Sequence, residues 1–136
     1  MRPALLFVSL LLALSRPAFA ASDLATEAER SGFARTGRYD EVIALCEAFA
    51  QRYPQAVRCI DFGTTPEGRP MKALIATTTG ANTPAQAQAT GVPVVLIQGG
   101  IHAGEIDGKD AGFLALREVL EGKAARGALD NLVLIL

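Results

Sequence analysis

The chain has 136 residues, of which 13 are basic and 14 acidic, with a single histidine and two cysteines. This length is typical of one domain and is too short for two ordinary ones. A formal net charge of -1 excludes a protein that binds polyanions through bulk positive charge, so we expect no nucleic-acid partner. Two cysteines cannot form a disulfide scaffold or a four-thiolate zinc site, and one histidine cannot complete chemistry that needs two imidazoles.

Residues 1–20 have the layout of a secretory signal peptide. A short positive start with Arg2 precedes an apolar stretch, and small residues at Ala18 and Ala20 form a cleavage signal. The alternative is a membrane anchor, but a stretch of about eleven apolar residues falls well short of the ~20 needed to span a bilayer. We therefore expect an exported protein, periplasmic or extracellular, without a stable membrane anchor.

The next two segments are predicted to be an irregular leader and a helix. Residues 21–38 are polar and mixed, with no clear periodicity. From Asp40 onward, apolar residues recur with helical spacing, at Val42, Leu45, Cys46 and Phe49. Tyr53-Pro54 ends this helix, because the residue before proline disfavours the helical conformation.

A strand pair is predicted next. Residues 57–62 and 71–77 have strand patterns, and the short connection over residues 63–70 indicates an antiparallel pair. Residues 78–91 are rich in Thr, Ala and Gln and are predicted to be a surface loop.

The last third of the chain is predicted to be a strand–helix–strand unit. Residues 92–98 (VPVVLIQ) and 131–136 (NLVLIL) are apolar runs typical of strands buried on both faces, and a helix of about residues 106–121 lies between them. Such a unit has parallel strands. The predicted fold class is therefore α/β, a mixed sheet covered by helices, with about four strands and two main helices.

The apolar run reaches Leu136 with no polar residue after it. An apolar strand at a sheet edge invites aggregation, so we expect this chain to be the front part of a larger protein.

The two cysteines have two possible roles. Cys46 lies on the predicted helix and Cys59 on the first predicted strand. In an exported protein a disulfide between them would persist, and closing so short a loop could contribute ~3 kcal/mol. Alternatively, both are small buried apolar residues. The sequence leaves both possibilities open.

The segment between residues 98 and 108 carries the residues most suited to chemistry. His102 and Glu105 are three residues apart where a strand ends and a helix begins, the position at which α/β sheets bind ligands. An imidazole and a carboxylate can converge there on a zinc ion. The same spacing also fits a strand-end histidine held by hydrogen bonds. Asp107 could orient His102 or cap the helix, whereas Lys109 and Asp110 are interpreted as a solvated first turn.

Four pieces of the chain together resemble the zinc carboxypeptidase (carboxypeptidase A-like) family. They are the opening helix ending in Tyr53-Pro54, the Glu67-Gly68-Arg69 turn between two strands, the strand ending in Gly99-Gly100, and His102-Ala103-Gly104-Glu105. The resemblance covers residues 39–136 and implies the N-terminal part of such a domain, with an α/β/α fold. It implies a Zn²⁺ cofactor and a peptide substrate with a free C-terminus.

By this resemblance, His102 and Glu105 are two of three protein ligands to zinc. The family's third ligand, general base and substrate-binding residues come later in its sequence, so no catalytic residue is assigned within this chain. We expect these 136 residues alone to be inactive, because a catalytic zinc site normally uses three protein ligands and a water.

The chain departs from the family pattern at one position. Digestive-type members have an arginine where this chain has Gly104, which puts their side-chain preference in doubt here.

Two other resemblances are alternatives. Zinc-dependent deacylases of N-acyl amino acids have a similar zinc fold, but they lack the Glu-Gly-Arg hairpin. Residues 36–54 also resemble a tetratricopeptide helix, which would indicate a non-enzymatic interaction module. Such repeats need several copies, and here two strands follow instead.

Overall fold

The computed structural model describes residues 24–102 and 104–136, so the predicted signal peptide lies outside the described residues. The helices are α1 (Glu27–Arg30), α2 (Tyr39–Arg52), α3 (Pro84–Thr90) and α4 (Asp107–Leu120), and the strands are β1 (Val57–Thr64), β2 (Pro70–Ala76), β3 (Val94–Leu96) and β4 (Val133–Ile135). A single 3₁₀ turn, Ala128–Asp130, precedes β4. Within the described ranges, no helix has the length and apolar character needed to cross a membrane.

The four strands form one mixed sheet in the order β1-β2-β4-β3. β1 and β2 are antiparallel, β2 and β4 are antiparallel, and β3 and β4 are parallel. The predicted antiparallel pair and the predicted parallel strand–helix–strand unit are therefore both present. The mixed α/β fold class is confirmed.

Helices cover the two faces of the sheet. Leu74 and Ala76 of β2 belong to the main core, which contains Phe49 of α2 and Phe113 of α4 with their ring centroids 5.8 Å apart. Ile75 packs instead with a second cluster that includes Ala87 of α3. Because successive side chains of a strand point to opposite faces, α2 and α4 lie on one face and α3 lies on the other. The sheet is thus the middle layer of an α/β/α arrangement.

The position of β3 differs from that predicted. β3, expected to be buried on both faces, lies at an edge of the sheet formed by the described residues, and Val94, Val95 and Leu96 are 51%, 40% and 65% exposed. β4, also predicted as a buried strand, is paired on both sides. An apolar run predicts that a strand will be buried, but it does not show which strands pair with it.

Two short helices lie where the sequence predicted irregular structure. α1 falls within the predicted leader and has a capping box, in which Thr26 and Glu29 satisfy each other's backbone N–H groups. α3 falls within the predicted loop, begins with the Thr83 cap and Pro84, and ends at Gly91 with a φ of 70°. Both helices are specified by their caps rather than by apolar periodicity, which is why periodicity missed them.

Glu29 is expected to make the stability of the protein depend on pH. Its carboxylate accepts hydrogen bonds from the Arg117 guanidinium and from the Thr26 backbone N–H. The Arg117 hydrogen bond is the main reason why the pKa of Glu29 lies below its usual value of 4.5. The folded state therefore binds the proton less readily than the unfolded state, so this stabilisation is present above that value and is lost as pH falls through the folded-state pKa.

We expect Glu29→Gln to lower the free energy of unfolding at pH 7 by about 1.5–3 kcal/mol, the range for a hydrogen bond to a charged group. As the pH falls below the usual Glu pKa of 4.5, the free energy of unfolding of the variant should also decrease less than that of the wild type. Urea unfolding at several pH values measures both effects. Glu118→Gln, a matched change on α4, is the control. Equal acid sensitivity of wild type and Glu29→Gln would contradict the assignment.

Candidate metal centre

The loop between β3 and α4 is shaped by a close approach of two glycine backbones. A Cβ atom placed on Gly99 would lie 2.8 Å from the backbone carbon of Gly108 and 3.2 Å from the nitrogen of Lys109. No side chain fits there, and the absence of one lets the backbone at Gly99, just after β3, lie directly against the start of α4. Gly104 has a φ of 94°, in the left-handed region that favours glycine, and lets the loop fold back on itself.

His102 and Glu105 meet on this loop. The His102 Nδ1 and the Glu105 Oε1 are 2.7 Å apart, and the His102 backbone N–H donates to Glu105 Oε2 at 3.1 Å. The Glu105 backbone N–H in turn donates to the His102 carbonyl at 3.2 Å. Both side chains are open to solvent, at 77% and 53% exposed. The structure therefore places the two predicted ligands side by side and accessible.

The donor set fits zinc in kind and supplies two positions. Imidazole nitrogen and carboxylate oxygen are both ordinary zinc ligands, and tetrahedral coordination at ~2.0–2.1 Å would separate the two donor atoms by about 3.3 Å. Across residues 24–102 and 104–136 there is no group of three or more His, Cys, Asp or Glu that could hold a metal ion. His102 and Glu105 therefore offer two donors, fewer than the three protein ligands of a catalytic zinc site.

Among the described residues, no hydrogen bond joins Asp107 to His102. The Asp107 side chain is exposed in the first turn of α4, and among the described residues the partner of the imidazole is Glu105. The role of Asp107 toward a bound metal stays a prediction.

Sequence reasoning missed the burial of Asp110. This residue was interpreted as part of a solvated turn, but it is only 7% exposed and accepts a hydrogen bond from the Thr36 hydroxyl at 2.5 Å. The partner is 74 residues away in the sequence. Local spacing therefore gave no signal that this carboxylate is buried.

The two cysteine sulfurs lie 2.07 Å apart, which is bonding distance, and the Cα atoms are 5.4 Å apart. The pairing ties α2 to β1. Cys46 is 2% exposed within the main core. The structure therefore contains the disulfide, the first of the two roles that the sequence left open.

We expect the disulfide to contribute about 2–5 kcal/mol to the free energy of unfolding, as native disulfides of small secreted domains do. A Cys46→Ala/Cys59→Ala double variant should lose this amount in urea unfolding. A reductant should destabilise the wild type by a similar amount and leave the double variant unchanged. If a reductant changes neither protein, the cysteines are not bridged.

An apolar surface borders, on its β3 side, the loop between β3 and α4 that carries His102 and Glu105, which we call the metal loop. An open hollow of about 620 Å³ lies between β2, the β3 segment and α4, and its lining includes Met71, Leu96, Ile97 and Ile101. Several of these side chains are among the most exposed large apolar residues described, such as Leu96 at 65% and Ile101 at 62%.

Comparison with known proteins decides the family. A family model described as zinc carboxypeptidase matches residues 42–136, which is most of the chain. The chain belongs to the zinc carboxypeptidase family. Its fold is similar to that in the crystal structure of carboxypeptidase A from Helicoverpa armigera, with a TM-score of 0.62 and 26% sequence identity.

That similarity covers 73% of this chain and 23% of the carboxypeptidase A chain. The chain therefore spans about a quarter of the length of that carboxypeptidase A. No curated protein sequence matched the chain. The family resemblance predicted from the Glu-Gly-Arg turn and the His-x-x-Glu pair is confirmed.

Proposed function

We propose that this chain is the metal-binding N-terminal part of a zinc-dependent carboxypeptidase that removes residues from the C-terminus of peptides. The observation that carries the proposal is the juxtaposition of His102 and Glu105, solvent-accessible and 2.7 Å apart, within the residues that match the family. The proposed location is outside the cytoplasm, which agrees with a Cys46–Cys59 disulfide, since disulfides persist in oxidising compartments.

In this proposal, His102 and Glu105 hold the metal and do no proton transfer. A bound zinc ion supplies Lewis-acid polarisation of the scissile carbonyl and lowers the pKa of a water. The described residues contribute the imidazole, the carboxylate and a loop whose internal hydrogen bonds limit the freedom of both side chains. Because a hydrolytic zinc site uses a third protein ligand and a general base, these 136 residues alone are proposed to be inactive.

Gly104 bears on substrate preference. It occupies the position between the ligands where digestive-type relatives have arginine, and it has no side chain to contact a substrate. The substrate preference of digestive members is therefore not carried over to this protein. The general class, a peptide with a free C-terminal carboxylate, follows from the family alone.

The other functions weighed from the sequence receive less support. The deacylase alternative lacks the hairpin that joins β1 and β2, which is present here with Thr65 and Arg69 paired across its turn. The interaction-module alternative needs stacked helix pairs, whereas α2 is followed directly by β1 and β2.

The full-length protein should be assayed on three substrates. They are a blocked peptide with a free C-terminus, the same peptide amidated at the C-terminus, and an N-acyl amino acid. Hydrolysis of the first alone, lost with a chelator and restored by zinc, supports the proposal. Hydrolysis of the N-acyl amino acid instead would favour the deacylase, and metal-independent behaviour would contradict both.

A further inference from the structure

A buried polar cluster, which we call the α4 anchor, joins the first turn of α4 to the chain ahead of α2. It consists of Thr36, Glu41, Lys109 and Asp110. The Thr36 hydroxyl donates to Asp110 Oδ2 at 2.5 Å, and the Lys109 ammonium donates to the Thr36 hydroxyl at 3.2 Å and to Asp110 Oδ1. Lys109 Nζ also lies 3.8 Å from Glu41 Oε2. One hydroxyl, one ammonium and two carboxylates from distant parts of the sequence thus meet in one place.

The charges of the anchor are largely withdrawn from water. The side chains of Lys109, Glu41 and Asp110 are 19%, 14% and 9% exposed. Glu41 Oε2 is fully buried and accepts no hydrogen bond from any described residue. Burying charges is costly, so an ion cluster of this kind is weak evidence for added stability. What the cluster does supply is a constraint on geometry, because the hydrogen bonds among Thr36, Lys109 and Asp110 form only when the first turn of α4 lies against the chain ahead of α2.

The anchor lies immediately behind the metal loop. Lys109 follows Gly108, whose backbone contacts Gly99 at the opposite end of the loop. His102 and Glu105 lie between these two points in the chain. The position of α4's first turn therefore sets where the C-terminal end of the loop is held. Without the anchor, only the Gly99–Gly108 contact and the helix's own packing would fix that end.

We propose that Thr36, Lys109 and Asp110 are positioning residues for the metal ligands, acting through the N-terminal end of α4. The metal part of this inference rests on the proposed function. None of the three residues touches the metal. Their effect is to keep the loop in the conformation in which His102 and Glu105 lie side by side.

Two matched pairs of variants test the proposal in the full-length protein. Thr36→Val removes the hydroxyl at nearly constant shape, whereas Thr36→Ser retains it. Asp110→Asn removes the buried charge, whereas Asp40→Asn makes the same change at an exposed site in the first turn of α2. The zinc dissociation constant is measured by competition with a chelator, with thermal unfolding recorded alongside.

Thr36→Val and Asp110→Asn are expected to weaken zinc binding about tenfold, the lower end of the loss for direct partners of metal ligands, because the anchor acts on the ligands through α4. Thr36→Ser and Asp40→Asn are expected to stay close to the wild type. A purely structural role would lower the unfolding temperature and leave the zinc affinity of the folded protein unchanged, and that result would overturn the proposal. If Asp110→Asn does not fold, the Thr36 pair decides.

Hydrogen exchange in the zinc-free protein separates failure of this inference from failure of the proposed function. The His102 and Glu105 amides both donate hydrogen bonds within the loop. Thr36→Val should speed their exchange, and Thr36→Ser should not. If the wild-type protein binds no zinc, the proposed function is contradicted. The exchange rates would still test whether the α4 anchor positions the loop. Unchanged exchange in Thr36→Val would overturn the anchor whatever the metal result.

Discussion

Replacing His102 with alanine is expected to abolish stoichiometric zinc binding by the full-length protein. The substitution removes one of the two donors that the described residues supply, and these 136 residues contain no second histidine to replace it. Loss of an outer partner of a metal ligand already costs about 10–100-fold in affinity, so loss of a ligand itself should cost more than ~100-fold. Elemental analysis after dialysis measures the zinc content.

Fold integrity needs a separate control in that experiment. His102 is 77% exposed and lies outside both core clusters, so His102→Ala should leave the unfolding temperature of the zinc-free protein nearly unchanged. Glu105→Gln should weaken zinc binding in the same direction, whereas Glu118→Gln on α4 should not. Zinc content that survives both His102→Ala and Glu105→Gln would show that the metal, if present, is held elsewhere.

Gly99→Ala is expected to lower zinc affinity at least tenfold without removing any ligand. Its new methyl group would lie 2.8 Å from the backbone of Gly108, a separation that real Cβ atoms do not adopt. The obstacle is backbone and not the tip of a flexible side chain, so the start of α4 must move away from β3. Overpacking of this kind costs about 1–3 kcal/mol of stability, and the displaced loop should hold His102 and Glu105 less well.

Gly63→Ala is a matched control for that prediction. Gly63 lies in β1. A Cβ atom placed on Gly63 would have the Met71 sulfur as its nearest non-neighbouring atom, at 3.6 Å, which is an ordinary contact. Chelator competition and thermal unfolding of both variants give the comparison. If Gly99→Ala binds zinc as tightly as Gly63→Ala, the glycine contact does not control the site.

Sequence reasoning located the elements whose apolar residues recur with the spacing of a helix or a strand. The apolar stripe through Leu45 and Phe49 predicted α2, and both residues are buried in the core. The turn at Glu67-Gly68 predicted the β1–β2 hairpin. Apolar periodicity cannot show which strands are neighbours in the sheet. The Val94–Leu96 run looked like an interior strand, yet it lies at the edge because β4 lies between it and β2.

The same distinction explains what was foreseen at the candidate site. His102 and Glu105 are local partners, three residues apart, so their spacing and the glycines around them sufficed to predict that they meet. The anchor joins Asp110 to a hydroxyl 74 residues earlier, and nothing near either residue indicates the other. Long-range polar contacts are specified by the packing of whole elements and become visible only once those elements are placed.

The place of β4 in the sheet has a consequence for the order of folding. The β1–β2 hairpin can form as soon as its own residues exist, but within the described sheet β3 has no partner until β4, which follows it in the sequence, takes its place between β2 and β3. Closing that gap requires contacts of large sequence separation, which are slow to form. During synthesis, β3 and its apolar neighbours are therefore left unpaired for the time taken to make α4 and the 3₁₀ turn. In this interval the exposed apolar strand makes a newly made chain prone to aggregation.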